Sequence, residues 1–157
     1  MIPHELVERL KDQAEFNPLV FRSPANQAEV RDALEELGIG LDQEIARFLL
    51  AYRMHAIRPV RNSRQLNDIC EPRREIFRST EFARSLYGLN DDFVCLDTAE
   101  GEGYIVYSKT TRAIYEGGIP EVPALNAGTL APTYSGFFEF MLDYVLPGFV
   151  PDTGSGR

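Results

Sequence analysis

The spacing of apolar residues changes along the chain, and this change restricts the fold class more than any other feature. In the first third, apolar side chains recur every three or four residues, as on the buried face of an amphipathic helix. Between residues 91 and 115 they form short β-branched and aromatic runs separated by polar turns, which is typical of strands. Helical spacing returns over residues 134–146. The sequence therefore predicts a single α+β domain, in which N-terminal helices and a C-terminal helix pack on an antiparallel β-sheet.

Residues that commonly cap helices give the ends of three N-terminal helices. The predicted helices cover residues 4–15, 27–37 and 43–53. Asn26 and Glu29 match a capping pair for the second helix, Gly38 suits its left-handed C-terminal cap, and Asp42 suits the N-cap of the third. Residues 57–84 show no sustained apolar period, so short helical turns and loops are predicted there.

The predicted sheet is a meander of three strands over residues 93–96, 104–107 and 113–115. Polar residues 97–103 and 108–112 supply the two turns, and the last helix should cover the sheet. A chain of 157 residues can bury a core without disulfides or metal. We therefore expect residues 1–150 to form the domain and residues 151–157 to be a frayed tail.

The two cysteines and the N-terminus bear on where the protein works. Cys70 and Cys95 form no CxxC pair, so both are predicted to be reduced, buried thiols. The N-terminal residues lack the basic start and apolar run of a secretory signal, and no stretch approaches the roughly 20 apolar residues of a membrane helix. A cytoplasmic protein without a membrane partner is the expectation.

The formal charge of −8 is unevenly distributed. Residues 1–84 hold 14 acids and 13 bases, whereas residues 85–157 hold 10 acids and 3 bases. A negative field repels nucleic-acid phosphates and steers a basic protein toward the C-terminal half. The simpler alternative is that the charge only keeps the protein soluble.

Catalytic machinery is sparse in the sequence. The only histidines are His4 and His55, which leaves little for a catalytic triad or a metal cluster. The run Gly101-Glu102-Gly103 lacks the Lys and Ser or Thr of a phosphate loop and reads as a hairpin turn. No enzyme activity, catalytic residue, cofactor or resident metal is predicted.

Two charged clusters have an alternative functional interpretation. The carboxylates of Asp91, Asp92 and Asp97 could hold a metal for hydrolysis, although their spacing matches no EF-hand loop. The arginines from Arg58 to Arg78 could form an anion-binding face. Since Asp68, Glu71 and Glu75 interleave with these arginines, a solvated, salt-bridged surface is the favoured interpretation.

Three groups of short motifs follow one another in a recognisable order. The helices contain Glu35-Glu36-Leu37-Gly38, then Leu41, then Phe48-Leu49; the strands contain Asp91-Asp92-Phe93, Leu96-Asp97 and Val106-Tyr107; the last helix contains the run YSGFFEFML. Together, over most of residues 25–146, this order resembles the SUKH superfamily of Smi-and-Knr-like proteins. The chain departs from the family pattern at Asp42, where a Pro is usual, and it lacks the Asn-Gly that often follows the helix.

The resemblance implies helices packed on an antiparallel sheet and the binding and inhibition of a toxin, often a nuclease or another enzyme that acts on nucleic acid. Many members serve bacteria as immunity proteins against polymorphic toxins. The resemblance carries over no contact residues, because interfaces in this family vary.

The leading hypothesis is therefore an immunity protein that binds a basic toxin domain and makes no direct contact with nucleic acid. Its predicted partner-binding residues are Asp91, Asp92, Asp97, Glu100, Glu102, Tyr104, Tyr115, Glu116 and Glu121. Tyr104 and Tyr115 would be the anchors, with core packing as the alternative for both. A regulatory or scaffolding interaction module is the second hypothesis, and a metal-dependent hydrolase using the Asp91, Asp92 and Asp97 region is the third.

Overall fold

Helices form most of the first half of the chain in a computed structural model that describes residues 1–60, 65–70, 73–98 and 103–146. The helices are α1 (His4–Ala14), α2 (Pro24–Leu37), α3 (Glu44–Ala51), α4 (Glu75–Tyr87), α5 (Val122–Asn126) and α6 (Phe137–Val145). Short 3₁₀ turns occur at Pro18–Val20, Met54–Ala56 and Ile119–Glu121. None of the helices in the described segments is long and apolar enough to cross a membrane.

Three strands form an antiparallel sheet in the order β1-β2-β3, with β1 at Phe93–Cys95, β2 at Tyr104–Ser108 and β3 at Ile114–Gly117. Val94 pairs with Tyr107, and Val106 pairs with Tyr115. The predicted α+β fold and the antiparallel meander are confirmed.

The two faces of the sheet belong to different hydrophobic clusters, because successive side chains in a strand point to opposite faces. One face contributes Val94, Leu96, Ile105, Tyr107 and Ile114 to a large cluster that also contains side chains of α1, α2, α3, α4 and α6. We call this cluster the main core. The other face contributes to a smaller cluster, the second core, which consists of Ala83, Leu89, Phe93, Cys95, Tyr104, Val106, Val122 and Leu125. The shared sheet joins the two cores into one domain.

Both edges of the sheet are covered. The N–H of Ile114 in β3 donates to the Tyr134 carbonyl at 3.0 Å, and that of Glu116 donates to the Thr133 hydroxyl at 2.9 Å. On the opposite edge, the N–H of Cys95 donates to Thr80 Oγ1 at 2.9 Å. Because these donors have partners, the strand edges are poor templates for pairing with another chain.

A buried ion pair holds the main core together. Arg22 and Asp68 have side chains that are 0% exposed, and Arg22 Nη2 lies 2.7 Å from Asp68 Oδ1. Arg22 also donates to the Leu49 and Tyr52 carbonyls, while Asp68 accepts from the backbone N–H of Met54. The pair therefore joins the start of α2, the end of α3 and the loop at Asp68. The prediction that Asp68 lies on a solvated surface was wrong.

The predicted C-terminal cap of α2 is confirmed, whereas the predicted N-terminal caps of α2 and α3 are wrong. Gly38 adopts the left-handed conformation with a φ of 78°, as expected for the C-terminal cap of α2. The helix begins three residues earlier than predicted, so Asn26 lies within it, where it accepts from Arg22 and donates to Glu29. Asp42 is not the N-cap of α3, because that position belongs to Gln43.

The helix α4 was missed, since short turns and loops were predicted over residues 57–84. Two of its four buried residues are polar, Ser79 and Thr80, so the apolar stripe that marks a helix in sequence is interrupted. The hydroxyls of both residues have partners, Asn67 for Ser79 and Cys95 for Thr80. In the fold, α4 packs against β1, whereas α6 packs against α1 and α3.

Candidate protein-interaction face

A group of half-buried apolar side chains lies around the outside of the second core. They are Tyr87, Tyr115, Ile119 and Leu130, and all four pack against the buried residues of that cluster. We call this group the tyrosine face. It brings one sequence-predicted residue, Tyr115, together with three that sequence reasoning did not select.

Tyr115 is held in place by its neighbours. Its ring meets the ring of Phe93 at 83° with 5.8 Å between centroids, and its hydroxyl lies 3.4 Å from Thr111 Oγ1. Its backbone pairs with Val106 in the centre of the sheet. A half-exposed aromatic ring with so little freedom loses little entropy when a partner covers it.

Tyr104 is placed differently, because its side chain is only 3% exposed. Its hydroxyl finds no hydrogen-bond partner among the described residues and lies against Gly117. Burial, and secondarily the charge of Glu121, raises the pKa of this hydroxyl. Tyr104 packs inside the second core, so it does not present a surface to a partner.

Three of the predicted carboxylates are exposed in the segments that form the second core. The side chain of Asp91 is 95% exposed and lies 3.7 Å from Arg84 Nε. Glu116 and Glu121 are also exposed, and Glu121 accepts a hydrogen bond from the N–H of Gly118 at 2.9 Å. All three acids thus lie on the surface, but Glu116 directly follows Tyr115 in β3 and therefore points to the opposite face of the sheet.

Asp92 holds the turn between β2 and β3 to the start of β1. Its carboxylate accepts from Ser108 Oγ at 2.5 Å and from the N–H and hydroxyl of Thr110 at 2.9 and 2.6 Å. Burial alone would raise the pKa of Asp92, but these hydrogen bonds and the charge of Lys109 outweigh burial and lower it. The role of Asp92 in the structure is to fix the hairpin.

Asp97 is 1% exposed and accepts from the N–H of Ile105 at 2.9 Å. Asp92 and Asp97 lie at opposite ends of β1, about 16 Å apart along an extended chain at roughly 3.3 Å per residue. Within the described parts of the chain, no group of three His, Cys, Asp or Glu side chains is placed to hold a metal. Asp92 and Asp97 therefore do not face a common ion. Glu100 and Glu102 lie outside the described residues.

The surface charge differs from the charge counted along the sequence. Asp97 and Asp143 of the acidic half are buried, so they add little to the exposed field. The helical half has balanced charge overall, yet α2 exposes four acids along its length: Glu29, Asp32, Glu35 and Glu36. Sequence counting could not separate these cases, since it does not show which charges face solvent.

Sequence reasoning also missed the apolar residues of α4 that adjoin the tyrosine face. Phe82 and Leu86 are exposed, and the ring of Phe82 meets that of Tyr87 edge-on at 5.9 Å. The signal was present, because Phe82 and Leu86 lie four residues apart, as neighbours on one face of a helix. It became readable only once residues 75–87 were known to be helical.

Comparison with protein-family models, with curated proteins and with solved structures found no match to this chain. The fold and the tyrosine face thus define an α+β protein with an aromatic surface beside exposed carboxylates. The resemblance to the SUKH superfamily stays a prediction from the sequence motifs.

Proposed function

We propose that this protein acts by binding another protein through the tyrosine face. The observation that carries the proposal is Tyr115, a half-exposed ring fixed against Phe93 with exposed carboxylates nearby. Tyrosines of this kind are enriched among the residues that dominate binding energy at protein interfaces. Asp91 and Glu121 would steer a basic partner toward the ring.

The resemblance to the SUKH superfamily makes the proposal more specific. In that family the partner is often a toxin, and enzymes that act on nucleic acid commonly carry basic active sites. An acidic surface with an aromatic anchor suits such a target. We therefore propose a bacterial immunity protein that binds and neutralises a cognate polymorphic toxin, with Asp91, Tyr115 and Glu121 as contact residues.

Co-expression with the proteins encoded by adjacent genes tests this function, with host growth and co-purification as readouts. The proposal predicts that one of these proteins is toxic alone, and that this chain binds it and restores growth. Binding without toxicity would point to a regulatory or scaffolding role through the same face. Failure to bind or protect against any of these proteins would contradict the proposal.

The variant Tyr115→Ala tests whether the partner binds the tyrosine face or another part of the surface. Truncating an anchor residue typically costs about 2 kcal/mol or more, so binding should weaken by roughly 30-fold or more. Phe16→Ala is the matched control, because Phe16 is an exposed aromatic residue that follows α1 and lies outside the tyrosine face. Equal weakening by both variants would place the contact elsewhere.

A further inference from the structure

A basic groove lies between the C-terminal end of α2 and α4. Its volume is about 660 Å³, and it is open to solvent. Five cations line it: Arg73, Arg74, Arg78, Arg84 and Lys109. We call it the arginine groove. Among the described residues, two carboxylates line it, those of Glu36 and Glu81, so its described lining is positively charged in a chain whose formal charge is −8.

Three arginines of the groove are available to a ligand. Arg73 makes no ion pair or hydrogen bond with any described residue. Arg78 reaches Glu75 only at 3.9 Å, with more than half of its side chain exposed. The 2.9 Å pair between Arg74 and Glu36 is also half-exposed, and exposed pairs of this kind contribute at most about 1 kcal/mol. An incoming anion can replace them at little cost.

The walls of the groove are fixed in place. The Arg74 guanidinium carbon lies 3.8 Å from the centroid of the Phe77 ring, which orients the guanidinium plane. Lys109 Nζ donates to the Leu37 carbonyl at 3.1 Å, and Arg84 donates to the Asp91 carbonyl at 2.9 Å. These contacts hold three of the five cations in place. Preorganised donors reduce the entropy that binding must overcome.

We propose that the arginine groove binds a small phosphorylated molecule. Arginine forks match phosphate oxygens in pairs, and several guanidiniums around one concave site favour a ligand with more than one phosphate charge. The volume lies within the range of about 300–1,000 Å³ that is usual for small-molecule sites. Glu36 and Glu81 would repel a long polyanion such as RNA that extended through the groove. This site is separate from the proposed protein-binding function and does not depend on it.

Calorimetric titration with inorganic pyrophosphate tests the site. The proposal predicts saturable binding that weakens at least tenfold in the variant Arg73→Gln/Arg78→Gln. The matched control is Arg31→Gln/Arg47→Gln, which removes the same charge from exposed arginines of α2 and α3 outside the groove. The control should bind pyrophosphate as tightly as the unaltered protein. Equal weakening by both variants, or no binding at millimolar pyrophosphate, would overturn the proposal.

Two further readouts keep the test decisive. Citrate, a carboxylate anion of similar charge, should bind at least tenfold more weakly, and equal binding of citrate would contradict a phosphate site. Amide chemical-shift changes on adding pyrophosphate should concentrate in residues 73–84, and changes confined to another surface would reject the groove. All substituted arginines are exposed, so the thermal midpoint should stay nearly constant, and Arg73→Gln alone serves if the double variant unfolds.

Discussion

The main core and the second core are built differently on the two faces of one sheet. The main core contains side chains of five helices and is tied together by the fully buried pair of Arg22 and Asp68. The second core has eight buried residues. The half-buried side chains at its margin include Tyr87 and Tyr115. In the main core, the charged groups of Arg22 and Asp68 bind partners inside the fold. The second core leaves aromatic surface available to a partner.

From this difference we expect the main core to determine stability and the margin of the second core to determine binding. Removing a fully buried group from the main core should mainly lower stability, because such a group makes all of its contacts inside the fold. Changing the margin of the second core should mainly alter binding. The changes described next test this difference between the two cores, beginning with the largest effect.

Asp68→Ala should be the most damaging change. It leaves the Arg22 guanidinium buried without a counter-charge, which typically costs about 3–5 kcal/mol of unfolding free energy. Chemical denaturation measures the loss. The control is Glu36→Ala, which breaks the exposed pair with Arg74 and should cost at most about 1 kcal/mol. Similar losses for the two variants would show that the buried pair does not organise the main core.

Gly117→Ala should lower stability by an intermediate amount through the second core. A Cβ at this position would lie 2.6 Å from the Tyr104 hydroxyl and 2.9 Å from Cζ of the same ring. Overpacking of this kind typically costs about 1–3 kcal/mol of unfolding free energy, measured by denaturation. Adding Tyr104→Phe removes the nearer atom and should recover part of the loss. Simple additivity of the two changes would show that this contact is not the cause.

Asp92→Asn should have the smallest effect on stability, and the effect should depend on pH. The folded-state pKa of Asp92 lies below its ordinary value of 3.8, so the ionised carboxylate stabilises the fold. This contribution is fully present above pH 3.8 and is lost as the pH falls through the lowered folded-state pKa. The difference in unfolding free energy between the unaltered protein and Asp92→Asn should therefore be largest near neutral pH. It should shrink in acid, and a difference that grew as the pH fell would contradict this account of the hairpin.

The strands were predictable because short β-branched and aromatic runs between polar turns have few other structures open to them. Gly38 was predictable as a cap for a similar local reason, since its left-handed backbone favours glycine. The burial of Asp68 was not predictable from the sequence, because its partner Arg22 lies 46 residues away and only folding brings the two side chains together.

Only part of the candidate site could be predicted from the sequence. Tyr115 and the exposed acids Asp91, Glu116 and Glu121 could be selected because they surround predicted turns and strands. The burial of Asp97 and Tyr104 depends on packing between elements, and strand alternation alone does not show which face is covered. The part contributed by α4 was missed together with the helix itself, whose inward positions are partly polar.

The measurement that tests the central claim most directly is the association rate with the protein partner, compared at low and high salt. The variant Asp91→Lys/Glu121→Lys reverses charge beside the tyrosine face, and Glu15→Lys/Glu35→Lys makes the same net change on exposed positions of the helical half. The account predicts about tenfold slower association for the first variant at low salt, with a gap that narrows at high salt, and little change for the second. Equal slowing by both variants, or slowing only by the second, would contradict binding through the tyrosine face.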